Sequence, residues 1–171
     1  METLPESTLV ELIRYNNWAN QEVLQACQKL SEAQLETSMP GAYGSIRATL
    51  EHIIRGESGY LKLLTGNRPQ PSFNWEDKPG LEKMSAYAAQ VEDALENAVQ
   101  HTLPTHQIEQ EMEGKNLHYQ ALALFIQIID HGVEHRTNIT TILNAGQLMP
   151  PEVDGWGYLS AHPERFDYQE R

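Results

Sequence analysis

Apolar positions recur at helical spacing along most of this chain. In a first segment, started by Pro5 and Ser7 and running over residues 7–30, Leu9, Ile13, Val23, Leu24 and Cys27 fall on one face. Thr37, Ser38, Met39, Pro40, Gly41 and Gly44 then break the pattern. Ser45 is a good N-cap and predicts a second helix ending near Gly66. Residues 67–80, with Pro69, Pro71, Pro79 and Gly80, read as a long crossover loop. A third helix is predicted over residues 81–103, with Met84, Tyr87, Ala88, Val91 and Leu95 facing inward and Pro104 stopping it. Residues 105–116 read as loop or a short hairpin. Asn116 is placed as the cap of a fourth, longer helix ending at Gly146, with the stripe Leu117, Ala121, Leu124, Ile128, His131, His135, Asn138 and Ile142. The tail, residues 147–171, reads as irregular despite Trp156 and Tyr158. With no alternating strand pattern in competition, the expected fold is all-α: a four-helix bundle with a long crossover between helices 2 and 3. It forms a single domain over residues 1–171, with its core in residues 7–146.

Composition narrows the function more than the fold. A chain of 171 residues is long enough for one sizeable core. Its longest apolar stretch, residues 121–129, is interrupted by Gln127 and is too short to span a bilayer. Met1 is followed by Glu2 rather than by a basic segment and an apolar run, so no secretory signal is visible and no membrane partner is expected. The net charge of −12 repels phosphate backbones, and no basic cluster offsets it, so nucleic acid is not an expected partner. Cys27 is the one cysteine, which excludes an internal disulfide and any cysteine-rich zinc site and fits a cytoplasmic location. Nothing near Cys27 marks it as a nucleophile, and it reads as a small core residue. His101, His106, His118 and His162 fall at helix ends or in loops and read as surface residues.

His131 and His135 are four apart on the predicted fourth helix, so both imidazoles point to one side and can approach one ion. They continue the apolar stripe and should face the interior, where each imidazole needs a partner. The ordinary alternative is a core histidine bonded to a carbonyl. The same letters form His-x-x-Glu-His, the inverted zinc-protease pattern in which Glu134 would act as general base. That pattern is short, a small bundle offers no obvious peptide cleft, and Glu134 is equally read as a solvated charge. His52 lies on a strip of small residues with Ser45, Ala48, Gly56 and Gly59. Two glycines inside a helix cost about 1 kcal/mol each relative to alanine. Either close helix packing offsets this, or Gly56 leaves room for a ligand above the histidine. Asn16 and Asn20 share a face with Leu9, Ile13 and Cys27. They either line a polar pocket near the histidines or bond to each other and to backbone. Glu57 is read either as a carboxylate orienting a ligand histidine or as a helix-end residue reaching solvent.

Taken together, Tyr15-Asn16-Asn17-Trp18-Ala19-Asn20, Leu50-Glu51-His52-Ile53 with Glu57 beyond it, and His131-x-x-x-His135-Arg136-Thr137-Asn138-Ile139 ending at Gly146 resemble the DinB-like family over roughly residues 7–146. Thr137-Asn138 stands where relatives often carry Gly-Gln, a departure that does not touch the histidines. The resemblance implies a metal-ligand triad of His52, His131 and His135, a divalent ion (commonly nickel or zinc) and a homodimer. It also implies, for some relatives, transferase or isomerase activity using low-molecular-weight thiols.

Three neutral ligands leave the ion its charge and leave a position open, the mark of a catalytic site. The ion could activate water to hydrolyse a small substrate or bind a thiol for transfer. Glu134 or Glu57 would handle protons, while Asn16, Asn20 and Gly56 would hold the substrate. The alternative is a stress-related metal- or small-molecule-binding dimer without turnover. Leu122, Phe125, Ile126 and Ile129 lie off the histidine stripe, so the fourth helix is apolar on more than one side, as expected of a helix central in a core or covered by a partner subunit.

Overall fold

A computed structural model describes residues 8–168; the expected start of the first helix at Pro5 and Ser7 lies outside the described residues. Four long helices dominate: α1 (Thr8–Cys27), α3 (Ile46–Thr65), α4 (Leu81–His101) and α5 (Ala121–Ala145). A four-residue helix, α2 (Glu32–Leu35), sits between the first two. α1 and α3 each pack on both α4 and α5. The fold is therefore predominantly helical, as the periodicity predicts. Ile13, Val23 and Leu24 of α1 meet Leu50 and Ile53 of α3, Met84, Val91 and Leu95 of α4, and Leu124, Ile128 and Ile139 of α5 in one core cluster.

The ends of α3 follow from two residues. Ser45 adopts extended backbone and its hydroxyl accepts from Ala48 N at 3.2 Å, meeting one of the orphan donors of the first turn. Gly66 ends the helix at φ 78°, a left-handed conformation that costs glycine nothing. The segment before Ser45 contains more order than its proline and glycines announce. Ser31 and Gln34 form a capping box that nucleates α2. The buried Arg47 of α3 then holds the neighbourhood together: it pairs with Glu32 at 2.6 Å and donates to Pro79 O at 3.1 Å, tying α2 and the crossover loop to α3. Within that loop only the short 3₁₀ turn Trp75–Asp77 is regular.

Two expectations are corrected. Asn116 does not cap the fourth helix. It lies in β2 (Lys115–Gln120), which pairs antiparallel with β1 (Gln107–Met112), with Met112 opposite Lys115. The two connecting residues, Glu113 and Gly114, both have positive φ, 52° and 74°, the geometry that matches strand twist in a tight hairpin. Backbone groups of residues 115–120 are thus spent on a ladder, and α5 starts only at Ala121, whose N–H donates to His106 O at 2.8 Å. The described part of the tail, residues 147–168, is also ordered. Asp154 caps α6 (Gly155–Ala161) by accepting from Trp156 N and Gly157 N, and the 3₁₀ turn Pro163–Phe166 follows. Buried Tyr158 donates to Glu11 Oε1 at 2.7 Å, and Tyr15 donates to Val153 O at 2.9 Å, so the segment is docked on α1. No helix among the described residues is long and apolar enough to cross a membrane.

Candidate metal centre

α3 contributes His52 and α5 contributes His131 and His135. Each offers one ring nitrogen such that all three atoms lie within 4.8 Å of one another. The ring centroids are 4.8 Å apart for His52–His131 and 4.5 Å for each of the other two pairs. His52 Nε2 and His131 Nε2 approach to 3.0 Å. Two imidazole lone pairs at that distance repel unless a proton or a cation lies between them. A tetrahedral ion bonded at 2.0–2.1 Å separates neighbouring nitrogens by about 3.3 Å, a value these distances bracket. The donor set therefore fits a divalent ion.

His131 and His135 are buried, each 6% exposed, and His52 is half-buried. Burial is the first cause holding all three pKa values down, His131 to about 4, with its two partners and Arg136 adding to it. The imidazoles are thus neutral at neutral pH, the state that ligation needs. Gly56 is what lets α3 and α5 come this close. A Cβ there would stand 2.8 Å from His131 Cε1, so the space expected to admit a ligand is filled by the histidine ring itself. The cost of that glycine is offset by packing, whereas the structure offers open space and no explanation at Gly59.

Asn16, Asn20 and Glu57 come together, but not around an open pocket. The Nδ2 groups of Asn16 and Asn20 each donate to Glu57 Oε1 at 2.7 Å. Their Oδ1 atoms accept from Arg136 Nη1, at 2.7 and 2.6 Å. All four residues are buried. Both ends of both amides are engaged in bridging a carboxyl to a guanidinium. Glu57 is likewise buried, and its hydrogen bonds run to the asparagines rather than to a histidine. Burial raises its pKa, while the two amides and Arg136 lower it. Glu134 is exposed, and its charge acts on His52 and His135, raising their pKa values against the effect of burial.

Several contributors carried no clear signal in sequence. Arg136 is 2% exposed and has no apolar pattern to announce it. Gly132 makes room for it, since a Cβ there would collide with Asn16 Oδ1 and Arg136 Nη1; a glycine in mid-helix was the available sign. Tyr43, in the break before Ser45, stacks on His52 with centroids 4.1 Å apart and meets His135 edge-on at 5.0 Å. Tyr60 stands edge-on to His131 at 5.5 Å. Elsewhere, a cleft of about 560 Å³ between α5, Tyr15 and residues 150–160 is lined by Val133, Thr137 and Thr140, on the face of α5 turned away from the triad. It contains none of the three histidines and is not the metal centre.

The chain is similar to the protein DinB of Bacillus subtilis (strain 168), at 20% identity over 158 residues, covering 87% of this chain and 92% of that protein. The DinB family matches over residues 3–170, nearly the whole length. By that match, and with a close three-histidine cluster at its centre, the chain belongs to the DinB family.

Proposed function

We propose that this chain binds one divalent metal ion, nickel or zinc, through His52, His131 and His135, within a four-helix bundle that pairs as a homodimer. The observation that carries the reading is the convergence of three neutral imidazoles from two helices, two of them at hydrogen-bonding distance with no other partner for those nitrogens among the described residues. A bound ion would supply Lewis acidity, with coordination positions left over for a small-molecule substrate.

The chain's own residues then divide the work as follows. Glu134 is exposed, its charge acts on two of the histidines, and we assign it the taking or giving of a proton. Glu57, sealed against Asn16 and Asn20, holds the helices rather than the substrate. The reaction we favour is thiol-dependent transfer or hydrolysis on a small molecule. The sealing of Glu57 favours a second reading, a metal- or small-molecule-binding dimer without turnover, because it leaves a single acidic residue for proton handling.

Metal content of the untagged protein by mass spectrometry, beside a His131→Ala/His135→Ala variant, tests the site. Near one equivalent of a divalent ion in the parent and none in the variant is expected. No metal in the parent after dialysis against nickel and zinc returns the histidines to an ordinary core. Saturable binding of a low-molecular-weight thiol then separates a transferase from a hydrolase, and absence of turnover with both substrate classes leaves the binding protein.

A further inference from the structure

Histidines that ligate metals ordinarily donate their second ring N–H to a carboxylate, a carbonyl or water, which fixes the ring plane. In this chain the Nδ1 atoms of His131 and His135 are buried without a hydrogen-bond partner among the described residues. His52 makes no hydrogen bond among those residues beyond its 3.0 Å contact with His131. Glu57, the one buried carboxyl on α3, is spent on the two asparagines. No protein acceptor among the described residues therefore fixes these rings by a hydrogen bond.

Tyr43 is placed to hold two of them. Its ring lies over His52 at 4.1 Å with an interplanar angle of 23°, and stands edge-on to His135 at 5.0 Å and 80°. Both are favourable arrangements for aromatic rings. Its position is set from the ligand helix itself: Tyr43 N donates to Asn138 Oδ1 at 3.1 Å, while Asn138 Nδ2 donates to Glu134 O at 2.8 Å. Burial does not explain the placement, since Tyr43 is 54% exposed, and its hydroxyl has no partner among the described residues. What the side chain does make is the contact with two histidines.

We propose that Tyr43 is a positioning residue of the triad, its ring holding His52 and His135 in the orientation that other metal sites obtain from hydrogen-bond acceptors. This rests on the metal-site reading above, and the experiment separates the two. Zinc affinity is measured by chelator competition for the parent, Tyr43→Phe and Tyr43→Ala, beside thermal unfolding of each metal-free form. The phenylalanine variant should match the parent, because the ring is kept. The alanine variant should still bind one equivalent but on the order of tenfold more weakly, with an unchanged metal-free Tm because the side chain is half exposed. Parent-like affinity in the alanine variant overturns the proposal alone. So does a phenylalanine variant as weak as the alanine one, which would assign the role to the hydroxyl. A parent that takes up no zinc or nickel overturns the metal site and this role with it.

Discussion

Glu57 and Arg136 share no hydrogen bond with each other; the side-chain amides of Asn16 and Asn20 stand between them, donating to the carboxyl and accepting from the guanidinium. A side-chain amide carries its donor and its acceptor on separate atoms, so two asparagines four apart on α1 can link an acid on α3 to a base on α5. The bridge sits one residue from Gly56 on α3 and one residue from His135 on α5. It therefore sets the spacing of the two helices at the level where the histidines meet.

Removing one end of that bridge leaves the other buried and uncompensated. Glu57→Leu is expected to destabilise the protein by about 3–5 kcal/mol in urea denaturation. The double variant Glu57→Leu/Arg136→Leu should recover much of the loss, since it removes both polar ends. A double variant as unstable as the single one would mean that the two residues act separately.

Gly56→Ala tests the close approach of α3 to His131. Alanine is the better helix former by about 1 kcal/mol, and displacing the buried His131 ring opposes that gain, so the Tm of the metal-free protein should change little. The added methyl meets the imidazole at 2.8 Å and must push it aside. Metal affinity by chelator competition should therefore fall, on the order of tenfold. Unaltered affinity would show that the ring has room to move.

Glu92 gives a pH dependence. It is 5% exposed, and its Oε1 and the neighbouring Asn17 Oδ1 are both buried acceptors without partners. Burial first, then the charge of Glu57, raises its pKa from 4.5 to about 8, so in the folded protein it holds a proton at neutral pH. A raised folded value means that its contribution to stability is fully present below pH 4.5 and is lost as pH rises through about 8. Between pH 6 and 9 the parent should lose up to about 2 kcal/mol that Glu92→Gln retains. Parallel stability profiles for the two proteins would contradict this.

The fourth prediction concerns the outer face of α5. Leu122, Ile126 and Val133 are 46%, 61% and 42% exposed and lie along one side, with partly buried Ile129 between them. A second copy of the chain covering this stripe would bury it. Light scattering should give a dimer for the parent and a monomer for Ile126→Glu; a monomeric parent at micromolar concentration would remove the dimer from the proposal. Phe125, grouped with this face by sequence, is 1% exposed and belongs to the core.

The helical character of the chain was legible because burial against a core imposes a period of 3.6 on apolar residues, and Met84, Val91 and Leu95 or Leu124 and Ile128 obey it. The cap at Ser45 and the stop at Gly66 were legible too, since each depends on a residue and its immediate neighbours. The pairing of His131 with His135 is likewise local, fixed by helical spacing alone. What lay outside the reach of local pattern was the relation between elements; the meeting of His52 with the α5 pair was implied by the family resemblance alone. Lys115–Gln120 became a strand because a partner strand was available to satisfy its backbone, which no local propensity reveals. The asparagines faced a carboxyl and a guanidinium rather than a pocket because three helices converge there. Tyr43 came to rest on His52 because Asn138, 95 positions away, holds its backbone. Local sequence specifies which conformations are cheap, but only the packed chain decides which side chain is within 3 Å of another, and polar chemistry depends on that distance.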